Sequence, residues 1–498
     1  MFKMNSTNIP QKLPTKGYIS AQATVCDFTG DKNPEIIAVS DAVYVWKTDM
    51  SILPGFPVKG KNYFASRPKV GDLYQKGSNI IVVGCDDDCL YAFDKSGNIL
   101  SGFPLKTGGD VYSTPELIDL DNDGVLEIIV GSDDGNVYVW KPNGTLLNGW
   151  PQKTNGFISS SPAIGDINGD GHSNIVIGSW DRHVYAWQIN GSSLSGWPIE
   201  TGHFVWSSPK IVDINGNNKN EVIVASDKIY IFQGNGKKFP GWPNQTLSYT
   251  VGTPAIFDLN GNGQKEIIIG SDKLYVWRSD GIPFSGFPIN LNTYLWSSPA
   301  VGDVTGDKSP EIVIGGWDGN VYVVNVQGNV ITKYATDGPI FATPTLFDLN
   351  NNGKKEIIIG SWDTNLYIIQ YSPFEVVRKK AVGPKIYRAN QMPNLEKNSI
   401  PFVCYPKIHS IHGIMYYCTP SERIWHPVPL VMHRGNLTGL IQPFRVGSSI
   451  KFYAKILNEK NQYTRFPTKD YYSYSIKSNW INRLTHDFSR FVRKFRRT

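Results

Sequence analysis

Asp119, Asp121, Asp123 and Glu127 crowd four carboxylates into nine residues, with Gly124 directly after the third. Oxygen side chains at loop positions 1, 3, 5 and 9, with a glycine at position 6 for the sharp turn, make the hard, oxygen-only shell that Ca²⁺ accepts. Without a cation, carboxylates at that density repel one another. Weaker copies of the loop recur. Asp166, Asn168, Asp170 and Asn174 keep the glycine as Gly171. Asp27, Thr29, Asp31 and Glu35 parallel Asp303, Thr305, Asp307 and Glu311, and both sets put a lysine, Lys32 or Lys308, where glycine is preferred. Asp213 with Asn215 and Asn217, Asp258 with Asn260 and Asn262, and Asp348 with Asn350 and Asn352 retain a single loop aspartate, followed by Glu221, Glu266 or Glu356. At Asp72 the pattern is lost, with Tyr74 and Lys76 at the next two odd positions. Fewer charges bind more weakly, so the expectation is several structural Ca²⁺ sites, tightest at Asp119 and absent at Asp72. The competing reading of the asparagine-rich loops is plain turn formation, in which Asp and Asn oxygens accept backbone N–H groups. Nothing in these loops supplies an open coordination position beside an acid or a base.

The elements that must position these loops follow from their spacing. The leading aspartates, Asp27, Asp72, Asp119, Asp166, Asp213, Asp258, Asp303 and Asp348, lie 45, 47, 47, 47, 45, 45 and 45 residues apart. A period that regular is one structural unit copied eight times. Each unit holds runs of four to seven residues rich in Val, Ile, Tyr and Trp, bounded by Gly, Asp or Asn, the mark of short antiparallel strands and tight turns. Four strands make one twisted sheet whose two faces need cover, and eight sheets packed radially cover each other. The predicted fold is therefore all-β: an eight-bladed β-propeller over 11–371, with seven blades as the alternative. A Trp-Pro or Phe-Pro pair precedes six of the aspartates by fifteen residues, at Pro57, Pro104, Pro151, Pro198, Pro243 and Pro288. The eighth repeat lacks that outer piece, and the segment Leu13 to Tyr18 resembles it. The N-terminus is thus expected to complete the last blade and remove an open edge.

The aspartate loops, the Ile-Val-Ile-Gly runs and the recurring Gly-Trp-Pro resemble FG-GAP (VCBS) repeats, the integrin-α type of calcium-binding propeller. The likeness covers 11 to 370. It implies Ca²⁺ in the loops and an extracellular or cell-surface binding protein, although integrin propellers have seven blades. Met1 to Gly17 contains no apolar run of signal-peptide length, which keeps a cytoplasmic alternative open.

Seven residues before the leading aspartates stand Tyr112, Trp206, Trp296 and Phe341, and a second series after the central apolar runs gives Trp180, Trp317 and Trp362. Aromatics at equivalent places in neighbouring blades could line one face and stack on sugar rings or on a protein partner, or else pack blade against blade. H-E-x-x-H, G-x-S-x-G and phosphate-loop motifs are absent, and His172, His183 and His203 fall at non-equivalent positions, so catalysis is not expected. The reading is a non-enzymatic, calcium-stabilised scaffold, expected to be monomeric, that recognises a glycan or protein. The alternative is a lyase-like, polysaccharide-acting enzyme on the same ring, since some eight-bladed propellers are such lyases.

Past a linker at 372–398 the period stops. Residues 399–476 alternate like short strands and resemble an immunoglobulin-like β-sandwich. In 477–498, Trp480, Leu484, Phe488, Phe491 and Phe495 form one stripe of a predicted basic amphipathic helix, suited to an anionic membrane surface or a partner groove. This tail carries seven basic side chains against one acidic, which is the whole net charge of +6. The remaining chain is neutral and gives no support for nucleic-acid binding. Five cysteines, an odd and scattered set, do not make a disulfide scaffold.

Overall fold

Glu127–Gly131, Asn174–Gly178 and Glu311–Gly315 are five-residue strands buried along their whole length. A strand covered on both faces belongs to the interior of a layered stack. The computed structural model describes residues 10–248 and 250–371, together with the backbone of six strands between 413 and 475. The chain divides into two units, 1–384 and 385–498. Among the described residues no helix is long and apolar enough to cross a membrane.

The first unit contains eight antiparallel sheets in chain order, one per repeat, as the period predicts. In the fourth blade the inner strand Ala163–Gly165 pairs with Asn174–Gly178, that strand with His183–Gln188, and the last with the short outer strand Ile199–Glu200. In blades 1 and 6 the outer strand shrinks to a single bridge, Val43 with Val58 and Leu274 with Ile289. The six Phe-Pro or Trp-Pro bonds ahead of the outer strands are cis. Side chains alternate along each second strand, so Ile128 and Val130 pack toward blade 2 while Ile129 packs toward blade 4. The core is accordingly eight separate apolar clusters, each shared by two neighbouring blades. The cluster closing the ring joins Leu13, Ile19 and Trp46 to Ile358 and Ile368. Closure is also covalently staggered: Gln11–Pro14 forms the outer strand of blade 8, pairing with Asn365–Ile369.

Polar contacts repeat with the same regularity. In all eight blades a tyrosine of the third strand donates its hydroxyl to an aspartate of the preceding hairpin, for instance Tyr91 to Asp87, Tyr138 to Asp134 and Tyr185 to Asp181, each at 2.6 Å. The same aspartates accept a backbone N–H from the segment arriving from the previous blade: Lys16 on Asp41, Lys61 on Asp87, Gly108 on Asp134, Asn155 on Asp181. Outside the ring, Trp150, Trp197 and Trp242 donate their indole N–H to carbonyls of Ile189, Gly234 and Ser279 in the following blade. Near the axis, the backbone N–H of Thr114 donates to the Ser161 hydroxyl, Ser161 N–H to Ser208, Ser208 N–H to Thr253 and Thr253 N–H to Ser298, at 2.8–3.0 Å.

One close approach explains the glycine that ends most second strands. A Cβ on Gly178 would lie 2.3 Å from Val205 Cγ1 of the next blade, and one on Gly131 2.2 Å from Ile158 Cγ2. In the second unit, six strands form one antiparallel sheet, centred on Gly413–Cys418 and Ser449–Leu457. The predicted linker at 372–398 and the helix of Trp480, Leu484, Phe488, Phe491 and Phe495 lie outside the described residues.

Gly178→Val should cost about 1–3 kcal/mol in urea unfolding, because the displaced atoms are packed core rather than flexible tips. Deletion of residues 1–20 should lower the melting temperature of the whole first unit as a single transition, read by calorimetry, since it opens an edge and strips Leu13 and Ile19 from the cluster between blades 8 and 1.

Candidate functional site

Every inner strand ends at a leading aspartate, so the acidic loops share one end of the ring. The residue eight positions after that aspartate turns out to be a clamp. Glu127 accepts the backbone N–H of Leu120 at 2.8 Å, and the same bond joins Phe28 to Glu35, Ile214 to Glu221, Leu259 to Glu266, Val304 to Glu311 and Leu349 to Glu356. It ties the exit of the first strand to the start of the second. Burial raises the pKa of each of these glutamates, against the backbone bond that lowers it.

The loops differ in what is left over. At Asp119, carboxylate oxygens of Asp119, Asp121 and Glu127 lie within 4.8 Å of one another. Glu127 is fully buried, and its Oε1 has no hydrogen-bond partner among the described residues. Such a set could hold a divalent cation, and a buried unpaired carboxylate oxygen is costly without one. Asp123 is drawn away: Lys141 Nζ bridges it and Asp121 at 2.6 and 2.9 Å. That contact with Lys141, then the Val125 N–H, holds the Asp123 carboxyl below the usual range.

Asp119 itself accepts the N–H groups of Asp123 and Gly124, and the leading aspartates of the other loops are occupied in the same way. Asp213 accepts N–H groups of Gly216, Asn217 and Asn218, Asp258 those of Gly261, Asn262 and Gly263, Asp348 those of Asn352 and Gly353, and Asp303 those of Gly306 and Lys308. Asp27 does the same for Gly30, Asp31 and Lys32, and Asp166 for Gly169 and Gly171. Asn217, Asn262 and Asn352 each cap the amide two residues on, as do Asp31 and Asp307. Asn215 and Asn260 cap the N–H groups of Asn217 and Asn262. Asn350 donates its amide to Glu356, and Asn168 donates to Asp170. Asn174 stands in the clamp position with Oδ1 on the Ile167 N–H at 3.0 Å, so its Nδ2, a donor, is the group left over. A donor there cannot ligate a cation, so Asn174 has only the second lone pair of the same Oδ1 to offer. Lys32 and Lys308 adopt the left-handed backbone (φ 70° and 74°) that Gly124 adopts in the Asp119 loop.

At the opposite end of the blades the hairpins come in two lengths. Blades 1, 5 and 6 turn tightly, with Ser40, Ser226 and Ser271 donating to Ala42, Lys228 and Lys273, whereas Ser132 and Ser179 reach Asn136 and His183. The two extra residues carry Trp180, Trp317 and Trp362 in blades 4, 7 and 8, and Asp86 and Asp133 in blades 2 and 3. The predicted aromatic row divides accordingly. Trp296, Trp317 and Trp362 are 3, 2 and 8 % exposed and form, with Phe341, one packed cluster at ring distances of 4.2–6.4 Å. These indoles serve blade-to-blade packing. Trp180 and Trp206 are half-buried, 4.9 Å apart, with Trp180 also against Phe157 and Phe204. Tyr112 hydrogen-bonds Asp86, whose carboxyl burial, then Asp110 and Asp133, push well above the usual range.

Comparison with known proteins agrees with this architecture. Residues 119–177 match the FG-GAP-like repeat family, and residues 283–391 match the lambda-carrageenase beta-propeller domain. No curated protein matches the chain. Among solved structures, BamB from Moraxella catarrhalis is similar at a TM-score of 0.53 and 16 % identity, over 73 % of this chain and 99 % of BamB. The V. cholerae biofilm matrix protein Bap1 is similar at 0.57 and 14 % identity, over 74 % of this chain and 92 % of Bap1. At such identities the likeness concerns the fold.

Glu127→Gln should be more stable than wild type in EDTA at pH 7. A carboxyl with a folded pKa above its unfolded value costs stability when ionised, so the advantage should shrink as pH falls from 7 toward about 4.5, read as the difference in melting temperature.

Proposed function

From an eight-bladed propeller carrying FG-GAP-like repeat sequence, we propose a non-enzymatic binding scaffold, stiffened by Ca²⁺ and offering the face of Trp180 and Trp206 to a glycan or protein ligand. The partly exposed Trp180–Trp206 pair carries this reading. Two indoles fixed by neighbouring blades present apolar, rigid area at little entropic cost, which suits stacking on a sugar ring or an apolar side chain. Asp119, Asp121, Asp123 and Glu127 would hold the cation, which supplies charge neutralisation beside the buried Glu127 oxygen. The other loops, where the described residues show no unpaired buried carboxylate oxygen like that of Glu127, would be turns or weaker sites. A monomer at the cell surface or outside the cell accords with the repeat type.

The match of residues 283–391 to the propeller domain of an enzyme named for a polysaccharide favours one second reading, a polysaccharide-acting enzyme. Incubation with acidic polysaccharides, followed at the absorbance of unsaturated products, separates the two, and release of such products would end the scaffold reading.

Saturating Ca²⁺ should raise the melting temperature, by about 2–3 kcal/mol of stabilisation at a hundredfold excess over Kd. Asp121→Asn should remove most of that gain, and Lys141→Met should tighten Ca²⁺ binding in calorimetric titration by freeing both aspartates. On a glycan array, Trp206→Ala should weaken any wild-type signal about tenfold while leaving the Ca²⁺ effect intact.

A further inference from the structure

The eight inner strands surround an axial channel of about 980 Å³. Its wall is mostly small and neutral, so the charges that face it stand out. Arg67 comes from blade 2, Glu116 from blade 3 and Lys210 from blade 5. Glu116 is already matched, because Lys69 Nζ lies 2.5 Å from its carboxylate. Arg67 meets only neutral acceptors, donating from Nη1 to the Gln22 side-chain carbonyl at 2.9 Å and from Nε to the Thr24 hydroxyl at 3.2 Å. Lys210 has neither a hydrogen bond nor an ion pair among the described residues, although its side chain is exposed to the channel. Arg67 and Lys210 therefore share a protein-walled space in which the one lining carboxylate, Glu116, is already taken by Lys69. The loss of hydration lowers the Lys210 pKa first and the nearby Arg67 adds to it, while Glu116 opposes both, so the three charges share one field.

The belt of hydroxyls around the axis adds donors. Ser161, Ser208, Thr253 and Ser298 each accept a backbone N–H from the preceding blade, which uses an oxygen lone pair and leaves the O–H. None of these four hydroxyls donates to another protein group among the described residues, and all four line the channel. An ammonium, a guanidinium and a ring of O–H groups are the complement of a compact group that bears negative charge and several acceptor oxygens.

We propose that the axial channel binds a tetrahedral oxyanion, phosphate or sulfate, between Lys210 and Arg67, with the belt hydroxyls donating to its oxygens. This site is separate from the Trp180–Trp206 face and from the acidic loops, so it stands or falls independently of the scaffold reading. The oxyanion enters either as the free ion or as the end of an ester.

The test is isothermal titration of the full chain, at constant ionic strength in chloride, with inorganic sulfate, inorganic phosphate and glucose 6-phosphate. Saturable one-to-one binding of an inorganic oxyanion is expected, weakened about tenfold or more in Lys210→Met, as loss of a charge-assisted contact requires. Lys210→Arg should restore most of it, and Lys237→Met, an exposed lysine on the outer hairpin of blade 5, should bind as wild type. Binding of glucose 6-phosphate at comparable strength assigns the site to esters, and its failure beside inorganic binding assigns it to the free ion. No saturable heat with either inorganic ion, or Lys210→Met binding within about twofold of wild type, overturns the proposal.

Discussion

The aspartate that joins one blade to the next does more to define this ring than any single apolar contact. In each sheet it receives a tyrosine hydroxyl from its own third strand, and in most it also receives a backbone N–H from the incoming segment, as at Asp41, Asp87, Asp134 and Asp181. Apolar faces alone set no angle between neighbouring sheets, because hydrophobic attraction is non-directional. A charge-assisted bond to a fixed amide does set it, and repeating the same geometry eight times brings the last blade back to the first. The glycine notches at Gly131 and Gly178 then let the sheets approach as closely as those bonds demand.

The two ends of the blades are free to diverge because the staples hold the ring between them. At one end, the clamp residues Glu35 through Glu356 fix the first two strands of six blades, so the loops between them tolerate replacement of acidic residues by asparagine, as at Asp213, Asp258 and Asp348. At the other end, a two-residue difference in hairpin length decides whether a blade adds a tryptophan, an aspartate or neither at that position, and the neighbours decide whether it is buried. Charge and aromatic area are thus varied blade by blade while the strand pairing stays the same.

Much of this was legible in the residues. Spacing of the leading aspartates gives eight blades, and the missing outer piece of the last repeat points to the N-terminal strand that fills it. The second aspartate series was just as visible, since a tyrosine follows each member by three or four residues, but it hides behind the turn-forming habit of aspartate. Asn174 was less accessible: only the Ile167 amide reveals that its oxygen faces the backbone. Likewise Trp317 and Trp180 share one sequence position, and only their neighbours decide that Trp317 is interior while Trp180 keeps part of its ring in water. The axial charges escape any periodic reading, because Arg67 and Lys210 stand at different repeat positions and meet only through the curvature of the ring.

The pairing of Gln11–Pro14 with Asn365–Ile369 gives the molecule a history as well as a shape. Of the ring's strands, the earliest in sequence is the last to be paired, and Thr15 waits 349 residues for its hydrogen bond to Thr364. Until then every growing intermediate is an open arc with one uncovered blade face at each end. A nascent ring of this kind therefore needs shelter for those faces until Asn365–Ile369 has been made, and a ribosome that stops before it leaves an adhesive arc in place of a smaller working version.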